Sequence, residues 1–367
     1  MLLSRFNVYH YLAARGLLAR DAVLERGVTI KSLSGRNTGL SVAFQDGGGF
    51  FVKQPPEGGA TEAGHYEREA IIFEMAAEWP ELAATLPRLR LHERSCAVLV
   101  LELIEDVNLQ QRQRVAKVFD AAAAAGIGKA MGRLAATNPS PRSEVACFPK
   151  SRPWALNPDW PRLQLRNGSP SPGQAGIADL ILRYPAIRDQ IEAAGDAWNE
   201  ISLIHGDVKL ENCFFDAREE CVILIDWEFA DWGDPLWDVA GFVQSCFNQW
   251  LYSIRPGSDD ESLANAVRSA GMSLESLQEA LLEFWLGYAG AALAGDADRG
   301  SHLLRVIRYA GARLLQTAFE WARSGRSLGW HSVRQAQAAL NLMSDPEAAR
   351  DQLLGQGAGA EEGRLCD

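Results

Sequence analysis

The sequence predicts an α+β protein of two lobes: a small N-terminal antiparallel sheet with one helix, then a larger helical lobe. Three observations lead there. Short β-rich runs separated by Gly-containing turns fill the first third. Beyond about residue 108 the pattern turns mainly helical. Two apolar runs, 213–215 and 221–225, interrupt the helices as a hairpin. The lobes are drawn at 1–104 and 105–350. The Gly- and charge-rich tail, 351–367, reads as disordered. A chain of 367 residues is long enough for two domains and a sizeable core.

The elements follow in order. GVTIKSL (27–33), LSVAF (40–44) and FFVKQ (50–54) read as three strands. Ala63 to Trp79 reads as a helix with Tyr66, Ala70, Phe73 and Ala77 on one stripe. RLRLHE (88–93) and AVLVLEL (97–103) complete the sheet. Ala121 to Ala136 is alanine-rich and helix-prone. Residues 138–175 hold eight of the sixteen prolines, with Trp154 and Trp160, and so read as a long loop. The two tryptophans there would either line a pocket or pack inward. Residues 176–200 return to helix, and helices resume from about 235 to 350. Pro235 to Ile254 carries Asp238, Gln244, Asn248 and Gln249 among apolar residues and reads as a buried core helix.

The chemistry concentrates in residues 203–240. Asn212 precedes the first hairpin strand and Asp226 follows the second. In an antiparallel hairpin those positions share the open end, about 5 Å apart. An amide oxygen and a carboxylate that close can share a magnesium ion, which takes oxygen ligands. Asp207, five residues before Asn212, can accept the proton of an incoming hydroxyl. Lys209, two residues on, can meet the charge of a transferring phosphate.

His205-x-Asp207-x-x-x-x-Asn212, Ile225-Asp226-Trp227-Glu228 and Gly233-Asp234-Pro235-x-x-Asp238 together resemble the aminoglycoside phosphotransferase and choline kinase family, which has a protein-kinase-like fold. The resemblance covers roughly residues 25–345. It implies that Asp207 is the catalytic base, that Asn212 and Asp226 hold Mg2+, and that Asp238 ties down the catalytic loop. It implies that Lys53, in the third strand, reaches the nucleotide phosphates with Glu69 as ion-pair partner. SGRNTG (34–39), with Asn37 and Thr38, falls where the phosphate-covering loop belongs. Glu102, Leu103 and Ile104 fall in the hinge that meets the nucleobase through its backbone. The implied nucleotide is ATP, with GTP open. His205 reads as structural, and Glu228 as either a third metal contact or a helix-start carboxylate. Asp231 and Asp234 read as turn and capping residues. The 138–175 segment would border the acceptor side of the cleft.

Two departures bear on the acceptor. The family run His-Gly-Asp-Leu-His-Pro-x-Asn is here His205-Gly206-Asp207-Val208-Lys209-Leu210-Glu211-Asn212. Lys209 and Glu211 stand where Ser/Thr protein kinases carry Lys and Glu. The helix after Asp238 and the opening FNVYHYLAARGLL are similar to phosphotransferase-like proteins of modified-peptide biosynthesis, which phosphorylate Ser or Thr before a partner lyase eliminates the phosphate. Three function classes therefore stand: a small-molecule kinase, a peptide kinase with a partner protein, and a catalytically dead binding module. The last is disfavoured because Lys53, Asp207, Asn212 and Asp226 are all present.

Composition excludes other classes. A net charge of −11 argues against nucleic-acid binding, which needs a basic face. No stretch approaches the ~20 apolar residues of a bilayer span, and no signal peptide is read at the N-terminus. None of the six cysteines stands in a C-x-x-C pair, so neither zinc nor redox chemistry is signalled and a reducing cytoplasm is expected.

Overall fold

The computed structural model describes residues 2–33, 38–56, 60–137, 148–219, 221–255 and 267–355. Two units divide the chain. The first gathers the described residues of Met1–Val107 with Phe148 and Ile223–Ala230. The second holds the described residues of Asn108–Ser140, Pro149–Val222 and Asp231–Asp367.

In the first unit, β1 (Val28–Leu33), β2 (Thr38–Phe44), β3 (Gly49–Gln54), β4 (Leu89–Glu93) and β5 (Val98–Glu102) form one antiparallel sheet in the order β1-β2-β3-β5-β4. The alternation of β3 determines what each face does. Phe50, Val52 and Gln54 point to one side and Phe51 and Lys53 to the other. Val52 sits between Leu40 and Val100 in a core that also takes Val42, Phe44 and Val98.

That core is closed by a helix the sequence reading omitted. α1 (Val8–Ala14) places Val8, Tyr11 and Leu12 into it, with Leu3 just before. The spacing i, i+3, i+4 was the available signal. A sheet with one apolar face needs a cover, and this is it. Glu93 at the end of β4 holds α1 down, accepting from the Tyr11 hydroxyl at 2.6 Å and from Arg15 at 2.7 Å. A second short helix, α2 (Ala22–Arg26), leads into β1.

The helix expected at 63–79 is α3 (Ala60–Met75). It stops before Trp79, which is extended because the following Pro80 disfavours helical backbone there. Pro80 opens α4 (Pro80–Ala83). Tyr66, Ala70 and Phe73 are buried, but Ala77 lies beyond the helix and is exposed.

The second unit opens with α5 (Leu109–Ala116) and α6 (Ala121–Ala136), the latter capped by Asp120 accepting from Ala123 N–H at 2.9 Å. The reading of 138–175 as a structureless loop is corrected for its described part. Residues 138–147 lie outside the described residues, but Trp154–Leu156 is a 3₁₀ turn, α7 spans Trp160–Asn167, and α8 (Pro172–Arg183) starts on a Ser171–Gln174 capping box. Two of the prolines, Pro161 and Pro172, occupy first-turn helix positions, where a missing N–H costs nothing. Trp160 is 1% exposed, with ring centroids 5.0 Å from Trp154 and 5.1 Å from Phe319. Trp160 is therefore core packing, and Trp154, half-buried, packs its ring against it. Trp160→Ala should cost about 3–5 kcal/mol of stability. A urea midpoint unchanged from wild type would refute its place in the core.

α9 (Pro185–Asp196) follows α8 after a break at Pro185. β6 (Ser202–Ile204) pairs antiparallel with β9 (Asp231–Gly233), and β7 (Cys213–Asp216) pairs with β8 (Cys221–Leu224). α10 (Leu236–Ser253), α11 (Leu274–Ala292), α12 (Arg299–Trp321), α13 (Trp330–Ser344) and α14 (Pro346–Leu354) complete the unit. α14 corrects the start of the expected tail, because helix continues through Leu354; residues 356–367 lie outside the described residues. Among the described residues no helix is long and apolar enough to cross a membrane.

Candidate active site

In the first unit, Lys53 is 8% exposed and held by two carboxylates. Its Nζ donates to Glu69 at 2.7 and 2.9 Å and to Asp226 Oδ1 at 2.7 Å. Glu69 reaches it from α3 and is 2% exposed, whereas Glu67 is exposed. Burial by itself would lower the lysine pKa, but the charges of Glu69 and Asp226 outweigh it and raise the pKa. Asp226 sits in the left-handed region, φ 70°, just after β8. A non-glycine residue there is uncommon and marks a position the surrounding fold imposes. Glu228, two residues on, is buried in a 3₁₀ turn.

In the second unit, the segment after β6 is tied from beneath. Asp238, in the first turn of α10, accepts from His205 N–H at 2.5 Å and Gly206 N–H at 2.9 Å. Burial raises the Asp238 pKa, and His205 and Arg313 oppose that rise. Gly206 takes φ 80°, which glycine adopts without strain. His205 is 2% exposed, and its Nδ1 accepts from Asp207 N–H at 3.3 Å. Asp207 projects from this turn, with Lys209 Nζ 2.6 Å from its Oδ2. Asn212 is buried, and its Nδ2 donates to the Asp207 carbonyl at 3.0 Å. That bond leaves the amide oxygen as the group it can offer a cation.

Asp231 and Asp234 do more than shape a turn. Asp231 accepts from Lys150 and Ser151 N–H at 2.8 and 3.0 Å. Asp234 accepts from Leu236 N–H and the Tyr309 hydroxyl, both at 3.0 Å, so it ties the start of α10 to α12.

Arg313, on α12, was not singled out from sequence. Its Nη2 donates to the Val208 carbonyl at 3.2 Å and lies 3.9 Å from Asp207 Oδ1, and its Nη1 reaches the Gly206 carbonyl at 3.4 Å. The guanidinium lies over Trp237 at 4.7 Å. Burial lowers its pKa, opposed by Asp207 and Asp238. The signal in the sequence was an arginine inside an apolar stripe, between Ala312 and Leu314. Gly241 makes the room, because a Cβ there would stand 2.5 Å from the Val208 carbonyl and 3.0 Å from the guanidinium. Arg313→Met should loosen the turn under Asp207. Lost hydrogen bonds to a charged group are worth about 1.5–3 kcal/mol, so kcat should fall by roughly 10–100-fold. Arg313→Lys should recover only part, since one ammonium cannot reproduce the planar fork. Wild-type kcat in both variants would remove Arg313 from this role.

Asp207, Lys209 and Arg313 line one cavity of about 180 Å³, along with Glu211 and the polar face of α10. The remaining sequence-selected residues divide. Asn37 lies outside the described residues, and Thr38 starts β2 with its Cα opposite Gln54. Glu102 donates its N–H to Arg88 at 2.9 Å and pairs its carboxylate with Arg90 at 2.7 Å. Leu103 N–H is already taken by the Gly49 carbonyl at 3.1 Å, so it is not a donor for a nucleobase. Asp226 falls in the first unit and Asn212 in the second.

An antiparallel five-stranded sheet followed by a helical remainder, with a buried Lys–Glu pair and a carboxylate on a tied-down turn, defines the class of kinase-fold phosphotransferases. A family model described as the phosphotransferase enzyme family matches residues 29–271, and the chain belongs to that family. Solved structures agree on the fold. An ethanolamine kinase of Plasmodium vivax is 12% identical with a TM-score of 0.57, covering 90% of this chain and 86% of its own. A choline/ethanolamine kinase family protein from Mesorhizobium loti is 18% identical with a TM-score of 0.54, covering 94% and 98%. An amicoumacin kinase in complex with AMP-PNP, Ca2+ and Ami is 13% identical with a TM-score of 0.51, covering 90% and 95%. At these identities the likeness is one of fold. A curated relative, the probable acyl-CoA dehydrogenase IBR3 of Arabidopsis thaliana, is 31% identical over 101 residues, which is 27% of this chain and 12% of that protein. The chain thus matches about an eighth of that relative's length.

Proposed function

We propose that the protein transfers the γ-phosphate of ATP to a hydroxyl of its acceptor, with Mg2+. The observation that carries this is Lys53, buried and bound to Glu69 and Asp226. A buried lysine held by a helix carboxylate is the group that phosphoryl transfer uses to meet nucleotide phosphates. The donor chemistry of two residues suits the cation, each taken by itself. Asn212 offers an amide oxygen and Asp226 a carboxylate, both hard ligands. When bound, Mg2+ supplies charge neutralisation at the phosphates.

The chain's own residues do the rest. Lys53 binds phosphate oxygens in place of the Asp226 carboxylate. Asp207 takes the proton of the attacking hydroxyl, and Lys209 meets the charge of the arriving phosphoryl group. Asp238, Asn212 and Arg313 hold the turn that presents Asp207. The Glu102 carbonyl and Ile104 N–H are the backbone groups for the nucleobase, since Leu103 is spent on the sheet. Backbone contacts read a purine weakly, so GTP is a second donor. Titrating ATP and GTP with and without Mg2+ tests the reading, and failure of both to bind in the presence of Mg2+ would overturn it.

A further inference from the structure

The turn between β2 and β3 is built in a way that a plain hairpin does not need. Gly47, Gly48 and Gly49 follow one another at φ 95°, 76° and 149°, backbone that residues with a side chain rarely adopt. At Gly49 there is no room either, because a Cβ would stand 2.1 Å from the Val42 carbonyl oxygen and 3.1 Å from Leu103 Cδ2. A glycine run has no local preference that would hold such a turn in one place, and glycine loses more freedom on ordering than any other residue. The position of the turn has to come from outside the hairpin.

Two fastenings supply it. On one side is Arg26, at the end of α2. Its Nε donates to the two Asp46 oxygens at 2.9 and 2.8 Å, and its Nη2 donates to the Gly47 carbonyl at 3.0 Å. Its guanidinium lies over the Phe44 ring, 3.8 Å from the centroid. On the other side the Glu105 carboxylate accepts from Gly48 N–H at 2.8 Å. Beside that bond, Leu103 N–H donates to the Gly49 carbonyl at 3.1 Å. Leu103 and Glu105 flank Ile104, whose N–H is assigned to the nucleobase above. Ile104 is thus fixed to the turn through both neighbours, one by its main chain and the other by a charged side chain. Glu105 is exposed, and substitutions at such positions usually change stability little. The effect of its bond to Gly48 therefore falls on where Ile104 sits.

We propose that Glu105 is a positioning residue for the donor nucleotide: by gripping the Gly47–Gly49 turn, which Arg26 anchors from the other side, it holds the Glu102 carbonyl and Ile104 N–H where a nucleobase meets them. This rests on the kinase reading above and deepens it. Small displacements of a positioning group weaken what it holds. The base, and not the phosphates, is the part of the nucleotide that Glu105 serves, because Lys53 is held by Glu69 and Asp226 and not by the turn.

The test titrates Mg–ATP, adenosine and Mg–tripolyphosphate into wild type, Glu105→Ala, Glu105→Gln and Arg26→Met, so no acceptor is needed. Glu105→Ala should weaken ATP and adenosine alike by about three- to tenfold, the worth of one hydrogen bond, and leave tripolyphosphate unchanged. Glu105→Gln should bind all three as wild type does, because its amide oxygen can accept the same N–H. Arg26→Met should show a loss of the same kind as Glu105→Ala. The double variant Arg26→Met/Glu105→Ala should lose less than the product of the single losses, since both side chains act on one turn. Wild-type adenosine binding in Glu105→Ala overturns the proposal. So do equal losses for adenosine and tripolyphosphate, which with a lowered melting temperature would mark a general structural role. No rescue by Glu105→Gln overturns it as well, and a double variant that loses the full product removes Arg26 from it. Wild type that binds Mg–ATP but no adenosine would mean that the base is not gripped, and the proposal falls alone. Wild type that binds neither Mg–ATP nor Mg–GTP would sink the kinase reading itself, and this proposal with it.

Discussion

Asp207→Asn should bind Mg–nucleotide with wild-type affinity and transfer phosphate about 10²–10⁴-fold more slowly, the usual worth of a general base. The amide keeps the size of the side chain and can still meet Lys209, which lies 2.6 Å from Oδ2 in the wild type. It cannot take a proton. The backbone of the turn should be unaffected, because its hydrogen bonds run to Asp238 and His205 and not to the Asp207 carboxylate. Single-turnover transfer and nucleotide titration separate the two effects. Turnover near wild type with any confirmed acceptor would take Asp207 out of the role of base.

Asp226→Ala should weaken Mg–nucleotide binding by at least about tenfold, or 1.4 kcal/mol, while metal-free nucleotide binds as well as before or better. The asymmetry follows from the two jobs of one carboxylate. In the proposed function it is a ligand toward the cation, and on that reading its loss removes affinity. Toward Lys53 it is a competitor of the phosphates, since it occupies Nζ at 2.7 Å. Removing it leaves Lys53 paired to Glu69 alone and more available to phosphate oxygens. Titrations with magnesium and with a chelator make the comparison. Equal losses in both would mean that Asp226 is structural.

Much of the fold was legible in local pattern. The five strands, the helix at 121–136 and the hairpin around 213–225 each carry their signal within a short window: alternation, alanine content, or two apolar runs about a polar turn. The misses have one cause in common. α1 carries a weak local signal because its apolar face is only Val8, Tyr11 and Leu12, and a helix of seven residues is stabilised almost wholly by what it covers. Residues 148–175 are proline-rich like a loop, yet Pro161 and Pro172 stand in first turns, where proline favours a helix start. α3 is shorter than its apolar stripe suggests because Pro80 disfavours helical backbone at Trp79.

By itself the sequence determined which chemistry-bearing residues exist and in what order: Lys53 on a strand, Glu69 on the next helix, Asp207 and Asn212 before a hairpin and Asp226 after it. Those are matters of spacing, and spacing is local. Only the tertiary structure decided which distant groups act on them. Arg313 lies more than a hundred residues from the turn it holds, and Gly241 matters only because Arg313 and the Val208 carbonyl converge on it. The ring contacts that link Trp321 to Tyr252, Tyr252 to His331 and His331 to Trp330 join three helices. Contacts of that kind depend on how helices stack, and stacking is set by the summed burial of whole faces, which no single window of sequence contains.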